Sequence, residues 1–156
     1  MNASLPPQIR QRTVSKARTL LEALPFNYAV LSTPVLHPDH AEEVMPAFLA
    51  AIARDPNQFL AVVDDGGTVA GCLQLSFIPG LSLKGMWRGQ IESVRIAASR
   101  RGQGLGHVMI EWAIAECRRR GCGLVQLTMN KSRQDSHRFY ESLGFEATHE
   151  GFKLML

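Results

Sequence analysis

Residues 91–106, Ile-Glu-Ser-Val-Arg-Ile-Ala-Ala-Ser-Arg-Arg-Gly-Gln-Gly-Leu-Gly, decide the reading of this chain. Ile91 to Ile96 has the apolar character of a strand, and a helix begins at Leu105. Leu105, Val108, Met109 and Trp112 form one apolar stripe, with Ile110, Ala113, Ile114 and Cys117 beside it. Two adjacent stripes make the wide apolar face of a helix lying on a sheet. Arg118 to Arg120 suit the negative C-terminal end of that helix and Gly121 its cap. Between strand and helix lies Arg101-Gly102-Gln103-Gly104-Leu105-Gly106. Glycines there let backbone approach a ligand, and the first free N–H groups of the helix meet it with the positive end of the helix dipole. The place suits a phosphate or pyrophosphate, and Arg100 and Arg101 add charge of the right sign. The bland alternative is a turn that needs positive φ. A dinucleotide fingerprint requires G-x-G-x-x-G, and position 107 is His. A P-loop requires Gly-Lys-Ser/Thr, which does not follow.

Working outward, Gln8 to Thr13 predicts a short strand and Ser15 to Leu24 a helix. A second helix is expected from Asp39 or His40 to about Arg54, against Pro46, with Asp55-Pro56-Asn57 as its stop. Phe59 to Val63, the turn Asp64-Asp65-Gly66-Gly67 and Val69 to Phe77 read as a hairpin. Pro79-Gly80 opens a loop ending near Gly89. Leu124 to Met129 predicts a strand, and Ser132 and Asp135 a capping box for a helix ending at Leu143. Phe145 to Thr148 and Phe152 to Leu156 predict a closing strand pair. Hairpins and crossovers together indicate an α+β fold, with a mixed, mostly antiparallel sheet flanked by about four helices.

Two motifs now carry a resemblance. Arg101, Gly104 and Gly106 match Gln/Arg-x-x-Gly-x-Gly/Ala, and Phe139-Tyr140-Glu141-Ser142-Leu143-Gly144-Phe145 matches Phe-Tyr-x-x-x-Gly-Phe. In this order of elements the chain resembles the GNAT superfamily of acyl-CoA-dependent N-acyltransferases, best over residues 59–156, as one domain spanning 1–156. The resemblance implies an N-acetyltransferase that moves acetyl from acetyl-CoA to a primary amine within a ternary complex. It implies that the turn Arg101, Gly102, Gln103, Gly104, Leu105 and Gly106 holds the CoA pyrophosphate. It implies that Val94, Arg95 and Ile96 pair with the pantetheine arm, with an amide near Val94 meeting the thioester oxyanion. Asn130 corresponds to an Asn beside that arm, and Arg133 stands where the family often has a second Asn. Glu92 corresponds to the general base and Tyr140 to the general acid.

Each role has a plainer rival. Tyr140 beside Phe139 is also what a core aromatic looks like. Strict alternation places Glu92 on the apolar side of Val94 and Ile96, so it is either buried for a reason or displaced by a bulge; an exposed salt bridge is the rival role. A non-catalytic acyl-CoA-binding sensor would keep the glycine turn without needing Glu92 or Tyr140.

Composition bounds the rest. The chain has 156 residues, 46% hydrophobic and 20% charged, enough for one domain with a full core. Cys72, Cys117 and Cys122 have no metal-ligand spacing and read as reduced thiols of a cytoplasmic protein, and no metal site is expected. A net charge of +3 is too small to indicate nucleic acid, and no run approaches the roughly 18 apolar residues of a membrane helix. The expected partner is a small-molecule or peptide amine acceptor, with a homodimer compatible with the sequence.

Overall fold

The computed structural model describes residues 8–11, 50–65 and 68–156. Five strands form one sheet in the order β1-β2-β3-β4-β5. They are β1 (Gln8–Gln11), β2 (Gln58–Asp65), β3 (Thr68–Pro79), β4 (Trp87–Ile96) and β5 (Leu124–Leu127). The first four pair antiparallel and β5 joins β4 in parallel, which is the mixed, mostly antiparallel sheet expected. The parallel pair requires a crossover, supplied by α1 (Leu105–Arg119). A second helix, α2 (Gln134–Ser142), follows β5. The helix expected over Ser15 to Leu24 lies outside the described residues, as does most of the next one, of which residues 50–54 are helical. Among the described residues no helix is long and apolar enough to cross a membrane.

One face of the sheet makes the larger part of the core, and Val62 and Cys72 form a smaller cluster on the other. Phe59, Ala61, Val63, Leu73, Leu75, Phe77 and Ile91 are buried against Leu105, Met109, Ile110, Ala113 and Cys117 of α1. Each fully buried aliphatic side chain there contributes about 1.5–3 kcal/mol. Val108, expected in the apolar stripe, is 49% exposed. At the far end of α1 the Arg120 guanidinium stacks 4.2 Å from the Phe77 ring centre, bonds to Glu116 and donates to the Pro56 carbonyl.

The structure corrects three local expectations. β4 begins at Trp87, not Ile91, because its first residues hide their pattern: Gly89 occupies the core-facing position. A Cβ on Gly89 would lie 2.3 Å from Cys117 Sγ, so only glycine lets α1 come this close. The capping box does not form; Arg133 is the N-cap of α2 without a side-chain cap, and Ser132 instead bonds to Asn130 Oδ1. The closing strands do not form either. Residues 145–156 join no ladder, and Phe152 and Leu154 are 91% and 85% exposed.

The Gly89–Cys117 contact predicts a coupled pair. Gly89→Ala should destabilise by roughly 1–3 kcal/mol through overpacking. Cys117→Ala in the same chain should return part of that loss, read by urea unfolding of all four proteins; additive losses would refute the contact.

Burial also pushes the Cys72 thiol up to about 11 and the Cys117 thiol up to about 12, from an ordinary 9.0. Above pH 9 the unfolded chain releases these protons while the folded one keeps them. Stability should therefore fall between pH 9 and 11 by about 1.4 kcal/mol per pH unit for each thiol. Equilibrium unfolding across that range should show a shallower decline in Cys72→Ala/Cys117→Ala.

Candidate functional site

The glycine turn is built as a cradle. After β4 the chain makes one short 3₁₀ turn, Ala98–Arg100, and reaches Gly104, the N-cap of α1. Gly102 and Gly104 have φ of 73° and 75°, left-handed values that glycine adopts without strain. Nothing lies within 4 Å of where a Cβ would sit on either, so their backbone stands open on that side. Val108 N–H bonds to the Gly104 carbonyl, which leaves the preceding N–H groups of the first turn without helical partners. The Arg101 Nε donates to the Ile96 carbonyl and Gln103 Nε2 to the Ser99 carbonyl, bracing the turn from behind. Leu105 is buried and anchors the helix start in the core; Gly106 lies 3.4 Å, measured from a notional Cβ, from the Phe139 ring.

Beside the turn the sheet splits. β4 runs to Ile96, whereas its pairing with β5 ends at Ile91 opposite Leu127. From Glu92 onward the β5-facing side of β4 has no strand partner among the described residues. At the same place β4 carries a bulge: Cys72 pairs with Arg95 and Gln74 with Glu92, so Leu73 faces the two residues Ser93 and Val94. Ser93 is at φ 56°, a left-handed conformation uncommon outside glycine.

The bulge resets the alternation. Glu92 shares the face of Gln74, away from α1, and is exposed; it does not lie with Val94 and Ile96, which pack on the α1 core. Burial of Glu92, one of the two outcomes open from the sequence, is therefore excluded in favour of displacement. Three residues on, Arg95 returns to the same face as Glu92.

A cleft of about 130 Å³ fills the split, with Glu92, Val94 and Arg95 on one wall and Met129, Asn130, Arg133, Ser136 and Tyr140 on the other. α2 brings Arg133, Ser136 and Tyr140 to one side by helical spacing. Tyr140 packs between Phe139 and Phe145, and burial raises its hydroxyl pKa, an effect that Arg133 and then Arg95 partly offset. The phenol therefore stays protonated across the neutral range. Cys72 lies behind the bulge with its sulfur 4.0 Å from the Ser93 carbonyl, and its high pKa keeps it a thiol.

Glu92, Val94, Arg95, Asn130 and Tyr140 are thus brought to one cleft, while Arg101 to Gly106 form the neighbouring turn. Asn130 Oδ1 accepts from the Ser132 N–H and hydroxyl, which leaves only its NH₂ toward the cleft. Ser136 and Met129 were not legible as site residues, since neither type carries a signal at these positions. His107 and His137 engage Ser142 and Glu141 outside the cleft. Among the described residues no group of three or more His, Cys, Asp or Glu side chains is placed to hold a metal ion.

Known proteins resemble this chain in sequence and in fold. The model of the acetyltransferase (GNAT) family matches residues 23–145. An aminoalkylphosphonate N-acetyltransferase of Salmonella typhimurium is 33% identical over 103 residues, and the match spans 66% of this chain and 66% of that protein. A structure described as a transcriptional regulator from Bacillus halodurans C-125 superposes with a TM-score of 0.84 at 37% identity, over 96% of this chain and 99% of that one. An acetyltransferase of Trypanosoma brucei superposes at 0.74 with 27% identity, again over 96% and 99%.

The open turn predicts that Gly104→Val abolishes the rise in melting temperature given by acetyl-CoA, because a side chain would fill the cradle. Gly104→Ala should itself cost about 1–2 kcal/mol from its left-handed φ. NAD and ATP at matched concentration should stabilise the wild type far less. A folded Gly104→Val protein with normal acetyl-CoA stabilisation would remove the turn from the cofactor site.

Proposed function

The chain belongs to the acetyltransferase (GNAT) family of acyl-CoA-dependent N-acetyltransferases, and from that premise we propose that it acetylates a small primary amine by direct attack on acetyl-CoA. The observation that carries the reading is the bulged split of β4 from β5. It leaves a carboxylate and a protonated phenol in one cleft, next to a glycine cradle suited to pyrophosphate. The open backbone of Gly102 and Gly104 fits a bound phosphate chain, and the unpaired β5-facing side of Val94 to Ile96 fits an extended amide-bearing arm. The thioester, when bound, supplies the acetyl group.

An amine with a pKa near 10 arrives mostly as ammonium. Glu92 accepts its proton, directly or through water, and the nitrogen lone pair then forms the C–N bond at the carbonyl carbon. A backbone N–H near Val94 donates to the oxygen as negative charge gathers on it. As the C–S bond breaks, Tyr140 gives its hydroxyl proton to the departing sulfur and recovers one from solvent. Cys72 is too weakly acidic to compete as a nucleophile. Aminoalkylphosphonates, named for the Salmonella relative, are the first acceptors to try.

A second reading, acyl-CoA binding without turnover, is favoured by the Bacillus structure described as a transcriptional regulator.

The test is CoA release with a panel of amines, followed by rates from about pH 6.5 to pH 9. Glu92→Gln should lower kcat by about 10²- to 10⁴-fold, with partial recovery at high pH, where more amine is already neutral. Tyr140→Phe should lower kcat without that recovery, and neither variant should change acetyl-CoA affinity much. Turnover equal to wild type in both would sink these roles; tight acetyl-CoA binding with no turnover of any amine would favour the second reading.

A further inference from the structure

We infer that Gln74, on β3, holds the acceptor's nitrogen beside Glu92: its side-chain oxygen and the Glu92 carboxylate together grip one ammonium group. This deepens the proposed reaction and rests on it.

The register places the two residues. Gln74 is the direct cross-strand partner of Glu92 and lies on the same face of the sheet, away from α1. Directly opposed residues of antiparallel strands have Cβ atoms about 4.5–5.5 Å apart, so the two polar ends reach the same small space.

Packing alone does not account for a glutamine at this position. Its partner on β2 is Leu60, and Val62 and Cys72 form an apolar cluster one row away. A carboxamide there gains nothing from burial unless its polar atoms are used. The nitrogen is used: Gln74 Nε2 donates to Gln58 Oε1 at 3.0 Å, and Ser76 Oγ donates to the same oxygen at 2.8 Å. Gln58 is on β2, so the nitrogen is drawn to that side. A carboxamide is planar, with oxygen and nitrogen on opposite sides of its axis, and Oε1 is thereby turned toward β4 and Glu92. Gln90, the neighbouring glutamine on that face, is set differently. Its Oε1 accepts from Gln126 Nε2 at 2.7 Å, on the β5 side.

A carboxylate and a carboxamide oxygen side by side are two acceptors, and one group with diverging donors serves both. A primary ammonium is such a group, with three N–H bonds. Glu92 takes one proton, which leaves a neutral amine and a protonated carboxyl. A second N–H stays on Gln74 Oε1 while the nitrogen turns its freed lone pair toward the carbonyl carbon. The carboxamide does not titrate, so it holds the nitrogen without competing for the proton.

The test uses Gln74→Met, which keeps the length and loses the oxygen, and Gln74→Glu, which keeps an oxygen and adds charge. Rates are read with the two fastest amines of the panel at saturating acetyl-CoA. Gln74→Met should lower kcat/KM by roughly ten- to a hundredfold, mainly through the amine KM, as for loss of a hydrogen bond to a charged group. The loss should be alike for both amines, since the nitrogen is what they share. Acetyl-CoA affinity, measured by calorimetry, should hold, and Gln74→Glu should stay nearer wild type than Gln74→Met. A residue that only braces the sheet gives the reverse order, because like charges directly opposite each other are destabilising. That reverse order overturns the inference. So does wild-type kcat/KM in Gln74→Met, a loss confined to one amine, or a fall in acetyl-CoA affinity large enough to explain the loss. If Gln74→Met does not fold, Gln58→Leu frees the Gln74 amide and should give a smaller loss of the same kind; no loss overturns the inference. If wild type turns over no amine, the proposed reaction fails on its own account. Ethylammonium titrated into the acetyl-CoA-loaded protein, followed by NMR, then decides the grip on nitrogen: binding that is absent, or equal in wild type and Gln74→Met, overturns it.

Discussion

At Ser93 the backbone of β4 turns to a φ of 56°, and one extra residue enters the strand opposite Leu73. A left-handed non-glycine residue costs of order 1–3 kcal/mol and persists only where its surroundings hold it. Here they do: Ile91 is paired with Leu75 and Leu127 on one side of the irregularity, and Ile96 with Gly71 on the other. Three consequences follow from this single insertion. The β4–β5 ladder stops and a cleft opens. The alternation shifts, so that Glu92 leaves the α1 face while Val94 and Ile96 stay on it. Arg95 joins Glu92 on the same side, which gives the cleft both signs of charge. An unbulged β4 would have to bury Glu92 in the core or give up Val94 and Ile96.

That dependence explains what could and could not be read from the residues. The α+β class and the glycine cradle were legible, because strong periodicity and Gly102, Gly104 and Gly106 are local signals. The face taken by Glu92 was not, since a bulge centred on serine has no compositional mark. The start of β4 was hidden for a related reason. Arg88 and Gln90 occupy outward positions, and Gly89 takes the inward one to admit Cys117, so the segment shows no apolar residue between Trp87 and Ile91. Phe145 to Leu156 failed in the other direction. Its apolar content suggests strand, yet the ladder that would make it one is not formed by these residues of the chain.

The two faces of the sheet divide the labour. Against α1 the side chains are apolar and closely packed. The opposite face holds a small apolar cluster around Val62 and Cys72 and, beside it, carboxamides in register: Gln58 Oε1 accepts from both Gln74 and Ser76, and Gln90 Oε1 accepts from Gln126. Gln90 is buried and Gln74 sits directly across from Glu92. These groups are polar but do not titrate. They can fix water or substrate near Glu92 without competing for the proton it would take, and without adding charge to the cleft.

Proton affinities in the site point the same way. In the proposed reaction Tyr140 must hold its proton until the leaving group takes it, and burial raises the pKa of its hydroxyl. The two guanidiniums oppose the shift, and in the proposed reaction they would stabilise the phenolate left behind after transfer. Burial makes proton loss harder in the resting state, while Arg133 and Arg95 limit its cost at the moment it is needed. Cys72 receives the first effect with less of the second: burial dominates, Arg95 offsets it only in part, and the thiol stays near 11. The phenol proposed to give its proton and the thiol that keeps its own therefore differ in their access to the cleft. Tyr140 is on the cleft wall, where the proposed thioester would lie; Cys72 is buried on β3, with its sulfur beside the Ser93 carbonyl.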